Sequence, residues 1–187
     1  MTKFSISDTE IEGLKLITPF CSEDERGRFI KDYSLQLLEK EGIPFHLKEV
    51  FYTYSKKGTI RALHFQREKQ QQKIVRCVNG KIFDVVVDLR SSSPTYKKWV
   101  SFELNSDNNL EILIPSGCAH GYLVLEESIV SYKCDEDFYG EYDDGIIWND
   151  SDIAVDWPIS EGLEIILSDK DQTLQTFAEF TDRYGTL

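Results

Sequence analysis

The chain has 187 residues, of which 41% are hydrophobic and 12% are aromatic, and its net charge at pH 7 is −12. This length fits one domain with a sizeable core, and the composition excludes a disordered or low-complexity chain. No apolar run approaches the roughly 20 residues that span a bilayer. The acidic excess makes nucleic acid and anionic membrane surfaces poor partners.

The first residues, MTKFSISDTEIEGLK, contain neither the basic region nor the apolar region of a secretory signal. The four cysteines lie at positions 21, 77, 118 and 134, with no CxxC spacing. This spacing favours buried, reduced thiols over a disulfide framework or a zinc site. The sequence therefore predicts a cytoplasmic protein.

The middle of the chain, from about residue 45 to residue 135, consists of short alternating runs separated by turn residues. This pattern is typical of antiparallel strands in a sandwich or barrel. The candidate strands are FHLKEVFYTYS, GTIRALHFQ, KIVRCV, KIFDVVVDL, KWVSFEL, LEILI, GYLVL and IVSYKC. Between the third and fourth of these, Asn79-Gly80 predicts a type I′ hairpin turn.

Helical patterns occur only on either side of these strands, over 33–42 and over 172–185, and each ends at a glycine. Because helices and strands do not alternate, the pattern argues against a parallel α/β sheet. The sequence predicts an all-β fold, a jelly-roll β-barrel with short peripheral helices.

The segment from Gly58 to Asp88 carries a histidine and a lysine on neighbouring predicted strands. Residues two apart on a strand share a face, so His64 lies with Gln66, and Lys73 with Val75. An ammonium inside an apolar barrel is costly unless it serves a polar ligand. The alternative is a lysine at a strand end whose head group reaches water.

A second histidine, His120, lies in IPSGCAHGYLVL and raises the question of a metal site. The β-rich pattern resembles the cupin superfamily, whose metal-binding members supply His-x-His and a glutamate from their first motif. Here His64 is followed by Gln66 and Gln70, so two of the expected ligands are amides. Two imidazoles leave no third good ligand, and a metal-free acid/base pocket is the preferred interpretation.

Two further residues gain importance only in combination with the histidine and the lysine. Tyr132 lies mid-strand in SIVSYKC, where a tyrosine on its own usually serves packing. Asp171 directly precedes the predicted C-terminal helix and on its own could be an N-cap. Whether it also reaches His64 depends on geometry.

Nine segments, in this order and spacing, resemble the dTDP-4-dehydrorhamnose 3,5-epimerase family, cupin-fold enzymes that act on nucleotide-linked 4-keto-6-deoxy sugars. The resemblance covers nearly the whole chain and implies an isomerase without a cofactor or a metal. The segments are DERGRF, GTIRALHFQ, QKIVRCVNGKIFDVVVDLR, SPTYKKW, IPSGCAHGYLVL, SYKC, WND, DWP and LSDKD.

The resemblance implies catalytic roles for four residues. His64 would be the base that removes the proton beside the ketone, and Asp171 would be its partner, with Asp84 as a fallback. Lys73 would face the ketone oxygen. Tyr132 would be the acid on the opposite face of the sugar. Residues of these types suit the chemistry, because histidine titrates near neutral pH and a cation stabilises an enolate.

The resemblance also implies how the nucleotide sugar is bound. Arg26 and Arg61 would hold the diphosphate. In the family, the first of these reaches across a homodimer, so the arm over about 1–32 is expected to be exchanged between protomers within a single cupin epimerase domain spanning 1–187. Three further residues are expected to bind substrate: His120, Gln66 and Glu49.

Several positions depart from the family pattern. Lys31 stands where an acidic residue is usual, the stretch 49–53 reads EVFYT in place of Gln-Asp-Asn-x-Ser, and Ala62 replaces a glycine. These changes leave the proton-transfer residues intact but suggest a shifted substrate preference.

The function expected from the resemblance is epimerisation at C3, C5 or both, converting dTDP-4-dehydro-6-deoxy-D-glucose to dTDP-4-dehydro-L-rhamnose. Two alternatives are enzymes on another nucleotide sugar, either a single-site epimerase or a 3,4-ketoisomerase. A third is a non-catalytic sugar-binding cupin. A metal-dependent cupin oxygenase is the weakest rival.

Overall fold

The computed structural model describes residues 2–187. Its strands are β1 (Ser5–Asp8), β2 (Lys15–Thr18), β3 (Phe20–Asp24), β4 (Gly27–Lys31), β5 (Glu49–Ser55), β6 (Ile60–Gln66), β7 (Lys73–Asp88), β8 (Trp99–Asn105), β9 (Glu111–Ile114), β10 (Cys118–Cys134) and β11 (Asp143–Ile146). Its helices are α1 (Leu35–Lys40), α2 (Asp169–Gln172) and α3 (Phe177–Tyr184). The predicted all-β fold with short peripheral helices is confirmed.

One antiparallel sheet contains most of the strands, in the order β1-β2-β9-β7-β10-β6-β11, with β5 paired to β10 and β8 paired to β7. The hairpin of β3 and β4 forms a separate two-stranded sheet. Apolar side chains alternate along the long strands and fill a core on each face of the sheet. The antiparallel pairing and the two cores are what the alternating sequence pattern predicts.

The hairpin predicted at Asn79-Gly80 is wrong. Both flanking runs belong to one continuous strand, β7, which pairs with β10 from Lys73↔Cys134 to Cys118↔Asp88. A type I′ turn needs two residues with positive φ, whereas only Gly80 has one here, at +77°. The ladder shifts register at this point, and a Cβ on Gly80 would lie 2.1 Å from the Glu127 carbonyl oxygen.

This irregularity changes which alternate positions of β7 face the same core. Before it, Val75 and Cys77 pack in the cluster that also contains Tyr132, and after it Ile82 and Val86 pack in the same cluster. Odd positions therefore face this core before Gly80 and even positions face it afterwards. A bulge of this kind inserts an unpaired residue and so reverses the alternation.

The chain outside the predicted strand region also differs from expectation. No strand is predicted before residue 45, yet β1 to β4 lie there. The C-terminal helix begins at Phe177 instead of residue 172, because the Thr176 side chain accepts a hydrogen bond from the Glu179 amide in a capping box. Within residues 2–187, no helix is long and apolar enough to cross a membrane.

Candidate active site

A cavity of about 560 Å³ opens on the core face shared by β5, β6, β7 and β10, with the segment around α2 closing one side. Clefts of this size and mixed lining are typical of small-molecule sites. All predicted site residues except Arg26 line it: His64, Lys73, Tyr132, Asp171, Arg61, His120, Gln66 and Glu49.

The imidazole of His64 pairs with the carboxylate of Asp171. His64 Nε2 lies 2.7 Å from Asp171 Oδ1, with 28% of the histidine side chain and 6% of the aspartate side chain exposed. Ser168 caps α2 and orients this carboxylate, because its hydroxyl donates to Asp171 Oδ2 at 2.7 Å and accepts from the Asp171 amide at 3.1 Å. Asp171 is therefore not the N-cap; it is the buried partner of the histidine.

The second ring nitrogen of His64 is held against β11. With Nε2–H donating to Asp171, Nδ1 carries the lone pair of the neutral ring. Nδ1 is buried and has no hydrogen-bond partner within residues 2–187. Gly145 lies opposite His64 in the β6–β11 ladder and provides the room for the ring.

Lys73, at the start of β7, carries a cation into the cavity. Its ammonium makes no hydrogen bond or ion pair with another residue in 2–187, although Asp143 and Cys134 lie near enough to interact electrostatically. Burial lowers its pKa below the ordinary value, and these two neighbours only partly oppose this. An unpaired, desolvated ammonium of this kind favours an anionic or strongly polar ligand.

Tyr132 lies on β10 and is enclosed from two sides. Its ring is stacked on Phe51 with centroids 4.7 Å apart, and it meets the edge of His120 at 5.8 Å. Only 7% of the residue is exposed. Burial raises its pKa well above the ordinary value, so the phenol is protonated at neutral pH.

A second imidazole and carboxylate meet behind this tyrosine. His120 Nε2 lies 2.8 Å from Oδ2 of Asp84, which is fully buried. The geometry thus pairs Asp84 with His120 and not with His64, although the two histidines lie opposite each other in the β6–β10 ladder. Burial raises the pKa of Asp84, an effect that His120 opposes.

Arg61 reaches the cavity because β6 is irregular. Tyr122 lies opposite Arg61 and His120 lies opposite His64, so β6 advances three residues while β10 advances two. Residues three apart on β6 therefore both line the cavity. The guanidinium donates from Nε to Ser55 Oγ at 3.1 Å and has no carboxylate partner within residues 2–187.

Glu49 and Gln66 line the cavity and also hold the loop that follows β10. The Phe138 amide donates to Glu49 Oε2 at 3.1 Å. The side chain of Gln66 accepts from the Tyr139 amide at 2.7 Å and donates to two backbone carbonyls, of Lys69 and Asp137. Gln66 thus has its amide engaged with backbone groups, and the loop places Phe138 at the cavity wall.

Arg26 lies outside the cavity of its own chain. It is in the turn of the β3–β4 hairpin, where it pairs with Asp24 and keeps 90% of its side chain exposed. As for metals, no cluster of three or more His, Cys, Asp or Glu side chains within residues 2–187 is arranged to hold an ion.

Comparison with known proteins identifies the family. The family model described as dTDP-4-dehydrorhamnose 3,5-epimerase matches residues 8–179. The dTDP-4-dehydrorhamnose 3,5-epimerase of Methanothermobacter thermautotrophicus is 41% identical over 180 residues, covering 96% of this chain and 97% of the relative. The chain belongs to the dTDP-4-dehydrorhamnose 3,5-epimerase family. Its members are isomerases, so this protein is an enzyme of that class.

Solved structures of epimerases confirm the cupin-type fold. The dTDP-6-deoxy-D-glucose-3,5-epimerase of Legionella pneumophila, solved in complex with dTDP-4-keto-L-rhamnose, superposes with a TM-score of 0.89 at 35% identity, covering 93% of each chain. A 4-keto-6-deoxy sugar epimerase from the novobiocin biosynthetic gene cluster of Streptomyces spheroides gives 0.92 at 30% identity, covering 99% of this chain and 93% of that one.

Some residues of this epimerase-family site escape prediction from sequence. Ser168 has a usable signal, since a serine three residues before an aspartate is typical of a helix N-terminus. Phe51 appears in the sequence only as a departure from the family pattern, with no hint that its ring stacks on Tyr132. Phe138 lies in a loop and carries no signal, because its position depends on Glu49 and Gln66.

Proposed function

We propose that the protein inverts C3, C5 or both in a nucleotide-linked 4-keto-6-deoxy sugar without a cofactor. The reaction indicated by the family name converts dTDP-4-dehydro-6-deoxy-D-glucose to dTDP-4-dehydro-L-rhamnose. One observation carries the proposal: a lysine ammonium without an ion-pair partner in the described chain, a His–Asp pair and a buried, protonated tyrosine all line one cavity.

In this proposal His64 takes the proton from the carbon beside the ketone. The 2.7 Å contact with Asp171 supports it, because a buried carboxylate stabilises the imidazolium that proton uptake creates. The electron pair of the broken C–H bond moves toward the ketone oxygen. Lys73 supplies the cation for that oxygen, an effect worth about 3 kcal/mol when judged from single oxyanion donors.

Tyr132 then donates its hydroxyl proton to the same carbon from the opposite face. Its raised pKa supports this role, because a phenol that stays protonated at neutral pH acts as an acid and not as a second base. Each epimerisation leaves a protonated His64 and a tyrosinate, and exchange with solvent resets both.

Substrate contacts follow from charge and position. Arg61 lines the cavity without a carboxylate partner in the described chain, and we propose that it holds the diphosphate. His120 and Glu49 are proposed to contact the sugar or the nucleotide, and Gln66 to shape the pocket through its loop contacts. The aromatic Phe51 in a position where the family pattern is polar supports a shifted substrate preference.

A homodimer with exchanged N-terminal arms, about residues 1–32, is proposed for the whole-chain cupin domain, 1–187. On β5, Tyr52 and Tyr54 are 53% and 75% exposed, and Phe29 on the β3–β4 hairpin is 57% exposed. Aromatic side chains exposed together on an edge strand and a hairpin detached from the main sheet favour burial by a second copy. Arg26, which lies outside the candidate active-site cavity of its own chain, would then reach the partner's diphosphate site. We also propose that the protein acts in the cytoplasm.

Incubation with dTDP-4-keto-6-deoxyglucose in deuterated water, followed by NMR, tests the reaction. Deuterium at both C3 and C5 of the product is the expected result. Label at C5 alone would contradict 3,5-epimerisation and support a single-site enzyme, and absence of both product and label would support a sugar-binding cupin. His64→Ala should abolish exchange, whereas His46→Ala, which changes an exposed histidine outside the cavity, should not.

Nucleotide preference is tested by thermal shift against dTDP, CDP, GDP and UDP. Stabilisation by a ligand grows with its concentration relative to its dissociation constant, so the largest shift at equal concentration identifies the preferred base. A clear preference for dTDP would remove the case for a shifted base specificity and leave the sugar as the part that differs.

A further inference from the structure

The ring of Phe51 covers the proposed acid on the side of the open edge strand. Phe51 lies directly opposite Tyr132 in the β5–β10 ladder, and the two rings stack with centroids 4.7 Å apart and planes inclined by only 10°. Phe51 is 42% exposed, whereas Tyr132 is 7% exposed. The phenylalanine therefore takes the solvent contact that the tyrosine would otherwise have.

The other side of the tyrosine ring is fixed by groups that do not face solvent. His120 meets it edge-on at 71°, and Asp84 anchors that imidazole from the core. The buried Tyr122 hydroxyl interacts with Tyr132 and lies 2.7 Å from Thr53 Oγ1. With these groups in place on one side, Phe51 is the wall that completes the enclosure.

We propose that Phe51 is a positioning residue that holds Tyr132 in line for proton delivery and keeps water from it. The inference rests on the proposed epimerase function. A flat aromatic contact restricts both ring tilt and side-chain rotation, and offset stacking adds stabilisation beyond burial. Without Phe51, Tyr132 can tilt toward β5, and the distance between its hydroxyl and the reacting carbon of the sugar is no longer fixed. Small misplacements of reacting groups slow a reaction strongly.

The chemistry gives this role a signature that simple destabilisation lacks. His64 removes the proton, and the resulting enolate has two fates. Protonation by Tyr132 from the opposite face gives inversion. Return of a proton from His64 restores the starting sugar, and in deuterated water this sugar now carries deuterium because the imidazolium exchanges with solvent. A misplaced acid therefore raises the ratio of labelled starting sugar to inverted product, whereas partial unfolding lowers both together.

The test compares Phe51→Leu, which removes the flat ring, with Phe51→Tyr, which keeps it. Initial rates of label in recovered substrate and of product formation are measured by NMR and mass spectrometry in deuterated water. The label-to-product ratio is expected to rise about tenfold in Phe51→Leu, as a fraction of the 10²–10⁴ that a general acid contributes. Phe51→Tyr should stay near the wild-type ratio. Tyr184→Leu on α3, outside the cavity, removes an aromatic ring that is 37% exposed and should leave the ratio unchanged.

A double variant shows whether the effect passes through the tyrosine. In a Tyr132→Phe background, adding Phe51→Leu should leave the already raised ratio where it is. A further rise in this background, or an unchanged ratio in Phe51→Leu alone, would overturn the proposal. A wild-type enzyme that gives neither label nor product would instead overturn the proposed function, so the two failures are distinct.

Discussion

Gly145 and His64 lie opposite each other across the β6–β11 ladder, and a Cβ on the glycine would come within 3.3 Å of His64 Nδ1 and 2.9 Å of the Leu63 carbonyl oxygen. His64, the base of the proposed mechanism, thus packs against Gly145, where there is no room for a side chain. Because the φ of Gly145 is not in the positive range, the requirement is steric and not conformational.

Gly145→Ala is therefore expected to displace the imidazole and lower kcat by about tenfold or more, since misplacing a catalytic group by 1 Å can cost 10²-fold. Overpacking should also lower the free energy of unfolding by about 1–3 kcal/mol. Steady-state kinetics and thermal unfolding measure the two effects. Gly140→Ala is the matched control, because the nearest atom to its Cβ, on Phe138, lies at an ordinary 3.8 Å. Equal kcat in the two variants would contradict the expected clash between a side chain at position 145 and the His64 ring.

Asp171→Asn is expected to lower kcat by about 10²-fold or more while KM changes little. In the proposed mechanism the carboxylate matters most when the imidazole becomes charged, which happens after substrate has bound. Ser168→Ala, which only loosens the carboxylate, should give a smaller loss. Kinetics at saturating and at low substrate separate kcat from KM. A rise in KM alone would argue against a catalytic role of the His64–Asp171 pair.

In the proposed mechanism, Lys73 should make activity depend on pH on the basic side. Its ammonium would have to be protonated to stabilise the enolate, and burial lowers its pKa below the ordinary value of 10.5. Activity should therefore fall as pH rises through this lowered pKa, at a pH below that of a free lysine and before Tyr132, whose pKa is raised, loses its proton. In Lys73→Arg the fall of activity should move to higher pH, because a guanidinium stays charged. If the fall occurs at the same pH in this variant, a group other than Lys73 causes it.

Glu111 gives stability a dependence on pH that is separate from catalysis. It is 1% exposed, and burial raises its pKa from 4.5 to about 8, with Lys133 and Arg76 opposing the shift and Asp32 adding to it. Between these pKa values the folded chain holds a proton that the unfolded chain has released, so stability should fall as pH rises from 4.5 to about 8.

Glu111→Gln should remove this loss and raise Tm at pH 9 while leaving Tm near pH 4 little changed. Thermal unfolding at the two values of pH measures the difference. Glu161→Gln, at an exposed position, should shift neither value. A lower Tm for Glu111→Gln at pH 9 would mean that the ionised carboxylate stabilises the folded chain.

The proposed exchange of arms predicts complementation between two protomers that are each impaired at low substrate concentration. Arg26→Ala should raise KM without lowering Tm, because the side chain is 90% exposed in its own chain. A subunit with Arg26→Ala keeps its own His64, and a partner with His64→Ala would donate the missing arginine. At substrate concentrations well below the KM of Arg26→Ala, refolding the two variants together should restore about a quarter of wild-type activity, since half the dimers are mixed and each has one complete site. Activity no higher than that of the separate variants would place Arg26 outside the partner's site.

The parts of the site that were predictable are those carried by local motifs. His64, Lys73 and Tyr132 stand in short segments whose order is typical of the family, and strand alternation places them on one face. Their partners depend on contacts between distant parts of the chain: Asp171 is 107 residues from His64. The assignment of Asp84 to His120 likewise follows only from the paired strands.

The errors in the fold have a common physical cause. Asn79-Gly80 is a turn signal for the backbone but does not state whether the chain reverses or only bends. The pairing of β7 with β10 over their whole lengths outweighs the local preference of Asn79-Gly80 for a hairpin turn. Gly80 instead lies at the bulge in the continuous strand. Likewise, Phe51 reads as an apolar residue on an edge strand until β5 is known to lie against Tyr132.

The bend at Gly80 sets a limit on how this enzyme tolerates insertions and deletions. Lys73 and Val75 are odd positions and Asp84 is an even one, yet the ammonium and the carboxylate that holds His120 belong to the same side of β7. Losing one residue anywhere between them would turn either the lysine or the aspartate to the outer surface. Insertions and deletions in this segment should therefore occur in pairs of residues. Transfer of the cavity to another barrel by engineering would have to include the bulge at Gly80.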